Sequence, residues 1–339
     1  MSHAHSRNII IIVSAVILTA VLCVSALVFK PWFGYFYAYG RQISLSPVEM
    51  IEHYGSPDSD KNWILGLCLE ADNGNWEKLS EMTSEDRKSE LGTYFYNLSN
   101  AMMGRLPDCL MDYYQPFERG LFLPVNENST PFIIAQSGEV WYRLGEMTMA
   151  EHSAMLGMAF SPNKTGEKFL RRLADINFIK GDTSAVRKYS NILDEYPEWT
   201  ADKILISTYA PTEDIIHSAS AIRPTLKNLL RSNGENLMAY QYLLCFDLLI
   251  KDLDSFIEDY NPNLPGSRLY QEAALIYMAS NNAVNQENLQ KYSISEQTFS
   301  EFTGYTDTYG KNGGKGAALQ EKYGKTYWFY YHFARRNEK

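Results

Sequence analysis

Two consecutive segments of the chain share one spacing of small residues and prolines, and this spacing restricts the fold more than any other feature. Ala150 and Ala185 are 35 residues apart, and so are Pro162 and Pro197. A small residue lets one helix lie close against its neighbour, whereas a proline ends a helix. The pattern therefore predicts two helical hairpins of matching length that stack on each other.

These segments resemble the second helix of tetratricopeptide repeats, whose period is about 34 residues. Upstream of each alanine, Gly145 and Gly181 are expected to turn the chain between the two helices of a pair. Gly138 supplies a small position at which the first helix can approach the second. Gly181 lies one residue closer to its alanine than Gly145 does, so the match is approximate.

The rest of the chain after residue 45 also has apolar residues spaced by three and four, which indicates amphipathic helices. Weaker helix pairs are expected at 63–82, 84–114 and 235–260, and a further helix at 267–280. A single hairpin cannot cover its own apolar face, so neighbouring hairpins must stack. We predict an all-α fold: a tetratricopeptide-like α-solenoid of stacked antiparallel helix pairs over residues 46–339.

An uncharged apolar run covers residues 9–29, after a short tail at 1–8. Twenty-one helical residues span roughly 31 Å, which matches one hydrocarbon core. We predict a single transmembrane anchor in the cytoplasmic membrane. Residues 30–45 are then an aromatic juxtamembrane linker whose rings lie at headgroup level. Because a short N-terminal tail usually stays inside, the large domain is expected outside the cytoplasm.

A cleaved signal peptide is the alternative interpretation of the apolar run. Val24, Ser25 and Ala26 have the small residues of a cleavage site. The run continues past Ala26 and is long for a signal peptide, which favours the anchor. Cys23 is a weaker candidate for lipid attachment, because the bulky Leu22 precedes it.

Charge and motifs exclude several functional classes. The chain carries 31 basic and 40 acidic residues, a net charge of −9, which argues against a nucleic-acid partner. Its six histidines lack metal-ligand spacing, and no nucleophile elbow, phosphate loop or dinucleotide fingerprint occurs. We therefore predict no catalytic residue, no metal and no cofactor. Cys68 and Cys109 are expected as free thiols, with a disulfide between them as the alternative.

The repeat register predicts which residues line the concave face of the solenoid. Transferred to this sequence, the inward positions of the first helices form one set: Glu139, Tyr142, Arg143, Lys168, Arg171 and Asp175. Three cations in a groove of an acidic protein would suit a carboxylate-bearing peptide tail. The alternative is that they pair with neighbouring acids on a solvated surface.

Three further stretches are similar to an uncharacterised membrane-protein family typical of Bacteroidetes. They are Gly138–Gly145, Arg171–Gly181 and Lys322–Tyr331. In that family many transmembrane helices precede a helical tail, and the likeness is to the tail. The resemblance implies a helical fold and a membrane context but no reaction. Here a single candidate span precedes the tail, so a function of the multi-span portion does not carry over.

Together these features predict a membrane-anchored helical scaffold that binds a protein or peptide partner at the cell envelope. The alternative is an envelope enzyme or carbohydrate-handling accessory whose site is assembled from distant residues. The aromatic run at 327–336 leaves two readings open as well. It is either a terminal helix that closes the core, which we favour, or a stacking platform for a glycan, a peptide or a membrane.

Overall fold

The computed structural model describes residues 33–84, 89–161, 166–193 and 221–336. Within these ranges the regular elements are all helical, which confirms the all-α prediction. The helices are α1 (33–42), α2 (Pro47–Tyr54), α3 (Ser59–Asp72), α4 (Trp76–Ser84), α5 (Glu90–Met102), α6 (Leu106–Cys109), α7 (Pro131–Leu144), α8 (Met147–Phe160), α9 (Glu167–Ile179), α10 (Thr183–Leu193), α11 (Ile222–Ser232), α12 (Leu237–Leu249), α13 (Leu253–Asp259), α14 (Arg268–Ser280), α15 (Gln286–Lys291), α16 (Glu296–Lys311), α17 (Ala317–Tyr323) and α18 (Tyr327–Phe333).

Side-chain caps begin many of these helices. Asp58 accepts a hydrogen bond from the Lys61 amide at 2.8 Å. Ser89 and Thr130 cap α5 and α7 in the same way. Each cap satisfies a backbone N–H that the first turn of a helix leaves without an internal partner. The local sequence thus fixes where the helices start.

The two predicted hairpins are present as α7–α8 and α9–α10. Gly145 ends α7 with a φ of 88°, a left-handed conformation that glycine adopts at little cost. A Cβ at Gly138 would lie 2.5 Å from the Cβ of Ser153, so the absent side chain lets α7 touch α8. Pro162 and Pro197, which the repeat pattern uses as helix ends, lie outside the described residues.

Successive hairpins also contact each other, as the repeat pattern requires. A Cβ at Gly157 of α8 would lie 2.6 Å from the ring of Phe169 on α9, so the second hairpin packs directly on the first. Helices adjacent in sequence pack together elsewhere too, in the sets α3–α4–α5 and α11–α12–α13. One apolar core runs from α1 to α18, and a smaller cluster lies between α8, α9 and α10.

The predicted juxtamembrane linker at 30–45 is part of the folded domain over the residues that the structure describes. Residues 33–42 form α1, and Phe36, Tyr39 and Ile43 are buried in the core. Their spacing of three and four is that of one helix face, which the composition-based assignment to lipid headgroups overlooked. Gly66 makes room for the Tyr35 ring, because a Cβ there would lie 2.7 Å from it. The folded domain therefore includes residue 33 rather than starting at residue 46.

Among the described residues, none of the helices has the length and apolar character needed to cross a membrane. The apolar run at 9–29 lies outside those residues, as do the tail at 1–8 and Cys23. The anchor therefore stays a prediction from the sequence.

The C-terminal aromatic run forms α18 and one of its faces closes the core. Tyr327 and Trp328 are fully buried, and the indole N–H of Trp328 donates to the Glu272 carbonyl at 3.0 Å. The Tyr327 hydroxyl donates to the Leu248 carbonyl at 3.0 Å. This face agrees with the core-closing reading. Phe329 and Phe333 are only half-buried, although they pack against that core.

Candidate functional site

Four of the six predicted binding residues lie together, but inside the fold: Glu139, Tyr142, Arg143 and Lys168. Glu139 and Arg143 on α7 are both about 6% exposed, and they pair at 2.8 Å. Lys168 on α9 lies 2.5 Å from Asp72 on α3. We call this set the buried ion cluster: Asp72, Glu139, Arg143, Lys168 and Arg172.

Arg172, which the repeat register did not select, is central to this cluster. Its guanidinium donates to Glu139 at 2.8 Å and lies 3.8 Å from the ring centroid of Tyr142. Arg171, which the register did select, pairs with Glu167 on its own helix at 2.8 Å and is partly exposed. One residue turns a helix by about 100°, so a register error of one position exchanges a buried arginine for a surface one.

The charges of the cluster largely compensate one another. Burial by itself would raise the pKa of Glu139, but Arg172, Arg143 and Lys168 outweigh it and lower that pKa to about 2. Burial raises the pKa of Asp72 despite the nearby Lys168. Arg143 also lies 4.9 Å from the Trp76 ring and 3.4 Å from the Ala71 carbonyl. The cluster therefore ties α7 and α9 to α3 and α4.

The binding role of the six residues stays a prediction. Burial of Glu139, Tyr142 and Arg143 restricts access to them, whereas Arg171 and Asp175 are partly exposed. The arrangement itself can join three helices by charge-assisted hydrogen bonds.

A larger, open site lies elsewhere in the described domain. A cavity of about 760 Å³ separates the segment 111–119 from α17 and α18. We call it the aromatic–basic cleft. Its aromatic lining is Tyr113, Tyr114, Phe117, Phe329, Tyr330 and Phe333, and its charged lining is Asp112, Arg119, Glu321, Lys322, Lys325 and Arg335.

Buried amides hold the segment that forms one wall of this cleft. Gln115 donates to the Leu110 carbonyl at 2.7 Å and to the Asn97 side chain at 3.2 Å. Asn97 in turn donates to the Gly120 carbonyl at 2.8 Å. The Phe117 ring then lies 5.8 Å from the Tyr330 ring of α18. Since both amides are buried and bonded, the wall is a fixed part of the fold.

The cleft is basic although the chain is acidic. Four cationic and two carboxylate side chains line it, whereas the whole chain has a net charge of −9. Lys325 pairs with Asp112 at 3.4 Å, and Arg119 pairs with Glu90 at 3.0 Å. Both pairs are well exposed, and exposed pairs are weak and easily exchanged. A ligand carboxylate could therefore replace these partners.

Lys251 donates hydrogen bonds to the C-terminal end of α18, which forms one wall of the cleft. Its ammonium donates to the carbonyls of Tyr331 and Ala334 at 2.8 and 2.7 Å. It also lies 5.5 Å from the Tyr330 ring. Burial lowers the pKa of Lys251 to about 8. A cation at the end of a helix satisfies the last carbonyl groups, so Lys251 helps to fix the cleft floor.

No local sequence pattern predicts this cleft. Its two walls lie about two hundred residues apart in the chain, with Arg119 in one wall and the other three cations in the second. The dense aromatic run at 327–336 was the one available signal, and it marked one wall. No group of three His, Cys, Asp or Glu side chains in the described ranges could hold a metal ion together. Cys68, Cys109 and Cys245 are free thiols.

Comparison with known proteins finds a match to one family model. No curated protein and no solved structure matches the chain. One family model, described as a family of unknown function (DUF6057), matches residues 2–334. Because that match covers nearly the whole sequence, the chain belongs to the DUF6057 family.

Proposed function

We propose that this protein is a membrane-anchored helical-repeat scaffold that holds a protein or peptide partner at the cell envelope. The partner docks through an acidic segment in the aromatic–basic cleft. One observation carries the proposal: an open cavity of about 760 Å³ combines six aromatic rings with four cations in a chain of net charge −9.

The chemistry of the cleft suits an acidic segment that also carries apolar or aromatic residues. Arginine and lysine donate charge-assisted hydrogen bonds to carboxylates, and such bonds contribute about 1.5–3 kcal/mol each. Half-buried rings such as Phe329 and Phe333 offer flat apolar contacts beside those cations. An extended peptide can use both surfaces at once.

The anchor and the repeats give this binding site its context. The apolar run at 9–29 has the length of one membrane span, and the folded domain begins by residue 33. Helix pairs stack in chain order from α7 to α10, as in helical-repeat proteins. Repeat stacks of this kind present extended surfaces to other proteins.

A binding measurement on the full chain in detergent tests the proposal. The probe is a fluorescent peptide of alternating glutamate and tyrosine, with its glutamine analogue as the reference ligand. We expect Lys322→Glu with Lys325→Glu to weaken binding of the acidic peptide at least tenfold. The matched control is Lys291→Glu with Lys311→Glu, which makes the same charge change at exposed sites outside the cleft lining. Equal binding by both double variants would refute the assignment of the cleft.

A carbohydrate-handling role is the second candidate, and the exposed Tyr114 ring in the cleft favours it. Sugar rings stack on aromatic faces and do not need the cations. Binding of neutral oligosaccharides that is unchanged in Lys322→Glu with Lys325→Glu but lost in Tyr114→Ala would support this candidate. The same result would count against the acidic-peptide proposal.

A further inference from the structure

A second cavity opens where the described chain begins, and it differs sharply from the cleft. It encloses about 540 Å³, a volume typical of small-ligand sites. Its walls are mainly apolar, and they come from α1, α2, α3, α5, α7 and α8. We call it the N-terminal groove, after its apolar residues Phe36, Ile64, Leu91, Phe132, Ile133 and Phe160.

The N-terminal groove lies close to the end of the apolar run. Phe36, one of its walls, follows Phe29 by seven residues. Four extended residues reach about 14 Å at most, and three helical residues add about 4.5 Å. The Phe36 backbone therefore lies within about 20 Å of the point at which the apolar run ends. A groove so placed lies near the surface of the membrane that the run would cross.

The polar lining of the groove includes one cation and no carboxylate. His53 and Lys61 line it, and neither Asp nor Glu does, although the chain as a whole is acidic. Lys61 also pairs with Asp58 at 3.2 Å and donates to the Ser56 carbonyl at 3.0 Å. Both contacts are exposed, so the ammonium can turn to a ligand anion. An ammonium and an imidazole N–H beside an apolar cavity match a phosphate attached to a hydrocarbon chain.

Phe160 marks the open edge of the groove. It ends α8 and is 55% exposed, although it is a large apolar ring. An exposed ring that continues an apolar cavity is the kind of surface that binding covers. We propose that the N-terminal groove binds one acyl chain of a membrane phospholipid, with the headgroup phosphate toward His53 and Lys61. This inference rests on the membrane anchor of the proposed function.

Photolabelling of the full chain tests this inference. The protein is reconstituted into vesicles of phosphatidylethanolamine and phosphatidylglycerol that contain a trace of phosphatidylcholine with a diazirine on one acyl chain. After irradiation, mass spectrometry maps the labelled peptides. We expect label on the peptides that contain Phe132 and Phe160, and separately on residues 9–29.

Two groove variants and a matched control sharpen the result. Phe160→Glu places a charge at the groove edge, and Ile133→Trp fills the cavity; each should reduce groove labelling several-fold. Ile192→Glu makes the same change at an apolar residue of α10 that is 50% exposed and lies outside the groove. That control should leave groove labelling unchanged. Because Phe160 is exposed, its variant is expected to fold even if Ile133→Trp does not.

The positions of the label test the lipid site and the membrane anchor separately. Label at 9–29 without label in the groove would overturn the lipid site and leave the anchor intact. Label in the groove without label at 9–29 would support the lipid site and refute the anchor. The groove could instead crosslink to residues 9–29 or to a second copy of the chain and show no lipid label. That result would overturn the lipid site in favour of that occupant.

Discussion

The ammonium of Lys168 lies 2.5 Å from a carboxylate oxygen of Asp72, and both side chains are about 12% exposed. This pair joins α9 to α3 across a long stretch of sequence. It belongs to the buried ion cluster, in which each charged side chain lies next to one of opposite charge. Pairs of this kind add little net stability, but the loss of one partner leaves a buried charge and is costly. We therefore expect substitutions inside the cluster to lower the free energy of unfolding much more than substitutions at nearby exposed residues.

The first prediction concerns Glu139. Its carboxylate accepts hydrogen bonds from Arg143 and Arg172, so Glu139→Gln removes the anion that these two guanidinium groups share. We expect a loss of about 3 kcal/mol in the free energy of unfolding, measured with urea. Glu167→Gln removes one partner of the partly exposed Arg171 pair and should cost about 0.5 kcal/mol or less. Equal losses would show that the buried ion cluster does not stabilise the fold.

The second prediction concerns the pH dependence of the same residue. The folded pKa of Glu139 is about 2, below its ordinary value of 4.5. A lowered acid pKa stabilises the fold above pH 4.5, and this contribution disappears as the pH falls through about 2. We expect the stability difference between the wild type and Glu139→Gln to shrink steadily over that interval. Urea unfolding at several pH values measures it, and a constant difference would contradict the assigned pKa.

The third prediction separates Lys168 from Arg171. Lys168→Glu places a second carboxylate beside the buried Asp72, which should destabilise the protein by about 3 kcal/mol or more. Arg171→Glu changes a partly exposed side chain and should lower the melting temperature only slightly. Circular dichroism on heating compares the two variants. A larger loss for Arg171→Glu would contradict the assignment of Lys168 to the buried ion cluster and of Arg171 to the surface.

The fourth prediction concerns the contact between α7 and α8. A methyl group at Gly138 would meet the Ser153 Cβ at 2.5 Å, so Gly138→Ala forces the two helices apart. We expect a cost of about 1–3 kcal/mol, as for other overpacked cores. Adding Ser153→Gly should restore part of the loss, because it removes the opposing atom. Chemical denaturation of the single and double variants tests this coupling, and strict additivity would contradict it.

The fifth prediction concerns Asp247, a fully buried residue of α12. Its carboxylate lies 3.3 Å from the Nε of Arg223, yet burial raises its pKa to about 7. An acid with a raised folded pKa loses stability as the pH rises from about 4 to about 7. Asp247→Asn should therefore be more stable than the wild type at pH 8 and nearly equal to it at pH 4.

The matching measurement is thermal unfolding at both pH values. Arg223 keeps Asp259 as a partner at 2.6 Å in this variant, so the substitution does not leave the guanidinium unpaired. A variant that is less stable than the wild type at pH 8 would show that the Arg223 contact outweighs the burial of Asp247.

The sequence predicts the helices well because their signals are local. Gly145, the capping Thr130 and the small Gly138 each act on residues a few positions away or in the next helix. The hairpins at α7–α8 and α9–α10 follow from such signals, as do the weaker pairs at α3–α4 and α12–α13. The aromatic residues of α1 are the exception. Their helical spacing was visible, but their composition suggested lipid.

The candidate sites depend on contacts that spacing does not encode. Whether Arg171 or Arg172 points inward depends on a rotation of one residue, which an approximate repeat alignment cannot resolve. The aromatic–basic cleft needs the segment 111–119 to meet α18, and nothing local to either segment requires this. Long-range packing decides both cases.

The burial of α18 has a consequence for the order in which the protein matures. Tyr327 and Tyr330 donate to backbone carbonyls at the end of α12, at 3.0 and 2.8 Å, and Trp328 donates to α14. During translation α12 and α14 leave the ribosome well before α18, whose side chains bond to them. The second half of the core must therefore wait, incompletely closed, until synthesis has passed residue 333. A chaperone that shields α12 and α14 during that interval would protect the nascent chain from aggregation.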